Sequence, residues 1–188
     1  MPEKIYCYVD ETGQDTQGDL FIVSVVITGR ERDSLIERCA EIEQRTRKGR
    51  IKWIKTDYTR RVEYIRQILA EPAFRGKLNF ASYRNTRDYL PRTVLTIARA
   101  ITALALDDYK ASVLIDGLPR AQEKWVGIEL RHLRIKIKKV RGVLKEENDA
   151  LVRLADALCG FVRAALEGQA EMRKLFERAK KSGTLKEL

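Results

Sequence analysis

The sequence predicts an α/β fold, a mixed sheet of about five strands with helices on both faces. Two observations carry that expectation. A pair of β-patterned runs separated by a turn opens the chain, and later β-patterned runs alternate with amphipathic helical segments. The length of 188 residues matches one compact domain able to bury a core of its own.

Each element has a local reason. Ile5, Cys7 and Val9 alternate with Tyr6, Tyr8 and Asp10, and residues 20–28 resume an apolar, β-branched pattern after Thr12, Gly13 and a polar stretch. These two runs make a hairpin with a long tip. Residues 31–48 set Leu35, Ile36, Cys39 and Ile42 at helical spacing, with Gly49 as the stop. Asp57 caps a second helix to about residue 70, with Val62, Ile65, Ile68 and Leu69 inward, closed by Glu71 and Pro72. Residues 77–84 follow as a strand. Residues 91–107 begin with a proline suited to a first turn and are apolar around most of their circumference, which predicts a buried helix. Residues 111–116 form a short buried strand stopped by Gly117 and Pro119, and residues 120–132 another helix. In residues 133–140, Leu133, Ile135 and Ile137 alternate with Arg134, Lys136 and Lys138, a strand with one apolar and one basic face. Asn148 or Asp149 then caps a helix to about residue 166. Gly168 divides a main domain, residues 1–168, from a basic amphipathic helix and tail, residues 169–188.

Composition narrows the chemistry. Lys and Arg number 37 against 27 Asp and Glu, a net charge of +10, which fits an anionic partner such as nucleic acid and equally fits a solubilising surface. The three cysteines, Cys7, Cys39 and Cys159, lack any paired spacing, so neither a disulfide framework nor a thiolate zinc site is expected. A reducing cytoplasm is the expected compartment. One histidine, His132, removes histidine-rich metal sites and leaves hydrolysis to carboxylates. No apolar run approaches the roughly 18 residues of a membrane span, and no secretory leader is expected.

Two strands end in an aspartate, Asp10 and Asp116, at the carboxyl ends where open α/β sheets gather ligands. Each also fits the cap of a following turn. A carboxylate at the rim of a core costs free energy unless it is paired or binds a cation. Asp156 interrupts the apolar run of the last long helix, two turns from Asp149, with Arg153 between them on the same side. It fits a salt bridge to Arg153 or Lys174 as well as a metal role. Asp10, Asp116 and Asp156 together, without histidine, suit a hard cation, Mg²⁺ or Mn²⁺. Two such ions about 3.5–4 Å apart are a common device of phosphodiester hydrolysis.

The runs Tyr8-Val9-Asp10-Glu11-Thr12-Gly13, Ile51-Lys52-Trp53, Val113-Leu114-Ile115-Asp116 and Leu151-Val152-Arg153-Leu154-Ala155-Asp156 together resemble a large uncharacterised prokaryotic family. That family is known by an Asp-Glu-Ser-Gly opening and a late Gln-Leu-Ala-Asp helix, and it is regarded as ribonuclease H-like. The resemblance spans residues 6–160. It implies a ribonuclease H-like fold, with Asp10, Asp116 and Asp156 at the acidic positions of that superfamily and Glu11 and Lys52 at further family positions. Thr12 stands for the usual Ser and keeps a hydroxyl. Arg153 stands for Gln and brings a cation that can pair Asp149 or Asp156, and Arg50 replaces a Glu.

Among the remaining candidates, Glu11 reaches the same ion as Asp10 only if the strand has already turned, because strand neighbours face opposite ways. Lys52 is a candidate phosphate contact, and Trp53 reads as a core residue. The expected track for a phosphate backbone is Arg134, Lys136 and Lys138, continued by Lys139, Arg141 and Lys145; edge-strand protection accounts for the same lysines. Met172, Leu175, Phe176 and Ala179 form a stripe that docks on the chain's own core or on a second copy, giving a possible homodimer. The expected function is a metal-dependent nuclease. The alternative is a non-catalytic module that binds nucleic acid or protein, with Arg153 neutralising the acids.

Overall fold

A computed structural model describes residues 1–144 and 149–188. Its strands are β1 (Glu3–Thr12), β2 (Phe21–Thr28), β3 (Leu78–Tyr83), β4 (Tyr109–Asp116), β5 (Ile137–Val143) and β6 (Leu185–Glu187). Its helices are α1 (Arg32–Arg45), α2 (Tyr58–Ala70), α3 (Tyr89–Thr102), α4 (Arg120–His132), α5 (Ala150–Leu166) and α6 (Ala170–Lys181). The strands form one sheet in the order β5-β4-β1-β2-β3-β6. The β1–β2 and β2–β3 pairs are antiparallel, whereas β1–β4, β4–β5 and β3–β6 run parallel.

Alternation along the strands divides the core in two. Tyr8, Ile22, Val26, Phe80 and Leu114 face α1, α2, α5 and α6, while Cys7, Val9, Val23, Val25, Val113 and Ile115 face α3 and α4. Every residue of β2 is buried, so its sequence is a continuous apolar run with no polar face to alternate against. The Ser24 hydroxyl in that strand donates to the Ala155 carbonyl at 2.7 Å, fixing α5 over the centre of the sheet. Asp57 and Asp149 cap α2 and α5 as the sequence predicts: Asp57 accepts from Arg60 N–H, and Asp149 from Leu151 and Val152 N–H.

Several expected boundaries shift, each for a local reason. The basic strand begins at Ile137 and not at residue 133, because α4 ends in a left-handed turn at Arg134 (φ 62°). There Ile135 N–H bonds Leu130 C=O and Arg134 N–H bonds Arg131 C=O, a Schellman closure with arginine where glycine is usual. The helix expected to 107 stops at Thr102, and Ala105 takes φ 53° to turn the chain into β4. Residues 185–187 add a sixth strand beyond the expected five. Asn148, the alternative cap, lies outside the described residues.

The segment after Gly168 packs on the same core. Met172, Leu175, Phe176 and Ala179 are buried, with the Phe176 ring 5.4 Å from Phe80 and 6.2 Å from Phe161. Of the two expected dockings the stripe takes the one on its own core, so it gives no support to a homodimer.

Candidate active site

The parallel register of β1 and β4 pairs Val9 with Ile115, so Asp10 and Asp116 are the next residues on adjacent strands at the carboxyl end of the sheet. Both lie on the alternation that faces α5, where Asp156 projects from the middle of the helix. A turn at Trp53–Lys55 closes the group: Trp53 N–H donates to Asp156 Oδ2 at 2.8 Å, and Lys52 Nζ donates to Asp116 Oδ2 at 3.1 Å. Beside them a cleft of about 470 Å³ is lined by Asp10, Asp156, Trp53, Arg61 and Arg163 among others.

The charges are mutually felt. Burial, then the carboxylates of Asp156 and Asp116, hold the Asp10 carboxyl well above its ordinary range. Burial also raises Asp156, against the Trp53 N–H and the Lys52 and Lys48 ammonium groups, which favour its ionised form. Burial alone would lower Lys52, yet its hydrogen bond to Asp116 and the fields of Asp156 and Asp10 raise it. Three acids therefore share an under-compensated site with one ammonium bonded at its rim.

The other predicted residues fall in different places. Glu11 points to the opposite face of β1, where its carboxylate accepts from Thr93 Oγ1 at 2.5 Å and from Gln14 Nε2 at 2.7 Å. Burial raises its pKa and those two bonds counter the rise. Arg134, Lys136 and Lys138 lie around the start of β5, beside the beginning of β4 and thus at the sheet's amino end, opposite the carboxylates. Lys136 is engaged there by the Asp107 carbonyl at 2.6 Å. Lys145 lies outside the described residues. The cysteines are buried as expected of small core residues, and burial pushes the Cys7 and Cys39 thiols up to about 12.

Arg153 overturns one expectation. Its guanidinium forks onto Glu43, Nε to Oε1 at 2.8 Å and Nη2 to Oε2 at 2.6 Å, and so does not neutralise the acidic group. Sequence reasoning missed the acid it seeks, because Glu43 follows Ile42 on the buried side of α1 and reads as an ordinary helical charge. Lys48, fully buried, reaches the same carboxylate at 3.4 Å and the Ile51 carbonyl at 3.0 Å. The network thus anchors the turn that carries Lys52 and Trp53. Gly160 was missed as well: a Cβ there would stand 2.1 Å from the Trp53 ring, so the indole lies flush on α5 only because this residue has none.

Among the described residues no three His, Cys, Asp or Glu side chains converge closely enough to cage an ion unaided. The donor chemistry nevertheless fits a hard, hydrated cation. Mg²⁺ keeps several waters and is usually held by only one or two carboxylates, and here three acids offer only oxygen donors, with Asp10 and Asp156 held above their ordinary range and an ammonium already drawn to Asp116.

The sheet order and helix layers are those of a ribonuclease H-like fold. Solved structures with the same fold include RNase HII from Archaeoglobus fulgidus, in its complex with PCNA, with a TM-score of 0.53 and 16% identity over 95% of this chain and 78% of that one. Ribonuclease H2 from Pyrococcus horikoshii OT3 gives a TM-score of 0.53 and 13% identity over 95% and 77%. No protein-family model and no curated protein sequence matches the chain.

Proposed function

We propose that the chain is a metal-dependent nuclease that hydrolyses phosphodiester bonds at Asp10, Asp116 and Asp156. The observation that carries the reading is that β1, β4 and α5 contribute one aspartate each to a single electrostatically coupled group at the carboxyl end of a ribonuclease H-like sheet. These aspartates would hold one or two Mg²⁺ or Mn²⁺ ions. Bound there, the metal supplies an acidified water and a counter-charge for the leaving oxygen.

The chain's own residues do the rest. Trp53 N–H fixes one oxygen of Asp156, a residue that lines the cleft. Lys52, half exposed, can exchange Asp116 for a non-bridging phosphate oxygen at little cost, which makes it the phosphate-orienting group. Glu11, on the far side of β1, stands outside this set and supports the strand end through Thr93.

The test is cleavage of end-labelled single-stranded, double-stranded and hybrid substrates with Mg²⁺ or Mn²⁺. Metal-dependent cleavage lost in both Asp10→Asn and Asp116→Asn is the expected result. Cleavage that persists in either variant, or none by the folded native protein, contradicts the proposal.

A further inference from the structure

We infer that the amino end of the same sheet face is a phosphate-binding shelf, built by Lys4, Lys110 and Lys138, that grips the nucleic-acid strand on which the carboxylates act. The inference rests on the nuclease reading for its direction. The parallel register sets Lys4 opposite Lys110, and six residues further along the same two strands it sets Asp10 beside Asp116. Six is an even number, so the lysine pair and the aspartate pair share one face. A bulge in β5, where Ala111 pairs with Ile137 and Ser112 with Lys139, leaves Lys138 unpaired in the ladder and adds a third ammonium beside Lys110.

These three lysines, with Arg30, Arg32 and Tyr6, line a pocket of about 740 Å³ whose one acidic lining residue, Asp33, is bonded by Arg32 at 2.9 Å. Among the described residues no acid pairs with Lys4, Arg30, Lys110 or Lys138. Lys136, close by, is by contrast held by the Asp107 carbonyl and lies over the Tyr109 ring. Like charges directly opposite on neighbouring strands destabilise a sheet unless an anion lies between them. Edge protection accounts for Lys138 alone, because β1 and β4 are interior strands. Six residues of strand separate the rows by ~20 Å, the axial rise of about six nucleotides. Between the rows on that face Tyr8, Ser112 and Leu114 are buried, Tyr8 and Leu114 in the core beneath α1 and α5, so a backbone that touches both rows passes over the helix layer and is longer than six nucleotides.

The test is fluorescence anisotropy of labelled single-stranded DNA and RNA, about 6 and about 20 nucleotides long, in EDTA as a function of salt. For the triple variant Lys4→Gln, Lys110→Gln, Lys138→Gln we expect at least about tenfold weaker binding of the longer strand, with the log–log salt slope reduced by about 2. The short strand, which seats on the shelf alone, weakens by a comparable factor. Lys110→Glu separates binding from folding: paired with Lys4 it melts higher than the native protein while binding the long strand more weakly. Equal affinity of the native and triple-variant proteins for the long strand overturns the inference, as does competition by inorganic phosphate at the concentration of oligonucleotide phosphate, which marks a small-anion site. Cleavage with no lysine dependence would leave the nuclease standing without its shelf; lysine-dependent binding with no cleavage would leave the shelf without the nuclease.

Discussion

Asp10 is where folding and chemistry oppose each other. Its folded-state pKa is raised, so the protonated form favours folding: the contribution is complete below the ordinary carboxylate value of about 4 and is lost as pH climbs through the raised value. Asp156 has the same sign. Melting in EDTA should therefore show stability falling as pH rises above about 4, and saturating Mn²⁺ should restore it at neutral pH. Asp10→Asn should flatten that dependence and gain on the order of 1 kcal/mol at neutral pH while abolishing cleavage. A destabilised Asp10→Asn would refute this account of the site. Lys52→Met should lower kcat by about 10²-fold with little change in KM, as expected of a group that stabilises developing charge; an unchanged kcat would remove Lys52 from the site. Asp10, Asp116 and Asp156 stood out in the sequence because strand ends and a polar break in an apolar helix contrast with their surroundings, whereas Lys52 was singled out mainly by the family resemblance. Arg153 misled because spacing on one helix shows which side a residue faces, not which neighbour across the core will pair with it.

At the scale of elements, the turn between α1 and α2 decides whether Lys52 and Trp53 are in place. It is held from below by Lys48, Glu43 and Arg153, and from the side by the bare backbone of Gly160. Glu43→Ala leaves two buried cations facing each other and should cost about 3–5 kcal/mol in a denaturant titration. Gly160→Ala forces the indole off α5. We expect a cost of about 1–3 kcal/mol, together with a shifted Trp53 emission in a Trp125→Phe background and reduced cleavage. Unshifted emission would show that the indole does not depend on this contact. Neither feature announced itself in the sequence, where Lys48 reads as a surface charge and Gly160 as a tolerated helical glycine. The same limit explains the late start of β5: alternation continues through residues 133–136, but an arginine-centred helix cap intervenes, and caps without glycine carry no signal.

Across the whole molecule the sheet has a polarity, lysines at the amino end of β1 and β4 and aspartates at the carboxyl end, on the face that packs against α1 and α5. The layers and the order of elements were legible because hydrophobic period and turn residues agree along most of the chain. The sixth strand was not, since three residues carry no period, and its partner β3 lies about a hundred positions away in sequence. Metal binding at the aspartates is the claim on which the account depends. Its most direct measurement is a crystal structure of the native protein soaked in Mn²⁺ with anomalous data. The account predicts a peak at about 2.1–2.2 Å from oxygens of at least two of Asp10, Asp116 and Asp156, with Lys52 withdrawn from Asp116. No anomalous peak there at saturating Mn²⁺, with Lys52 still bonded to Asp116, would contradict it.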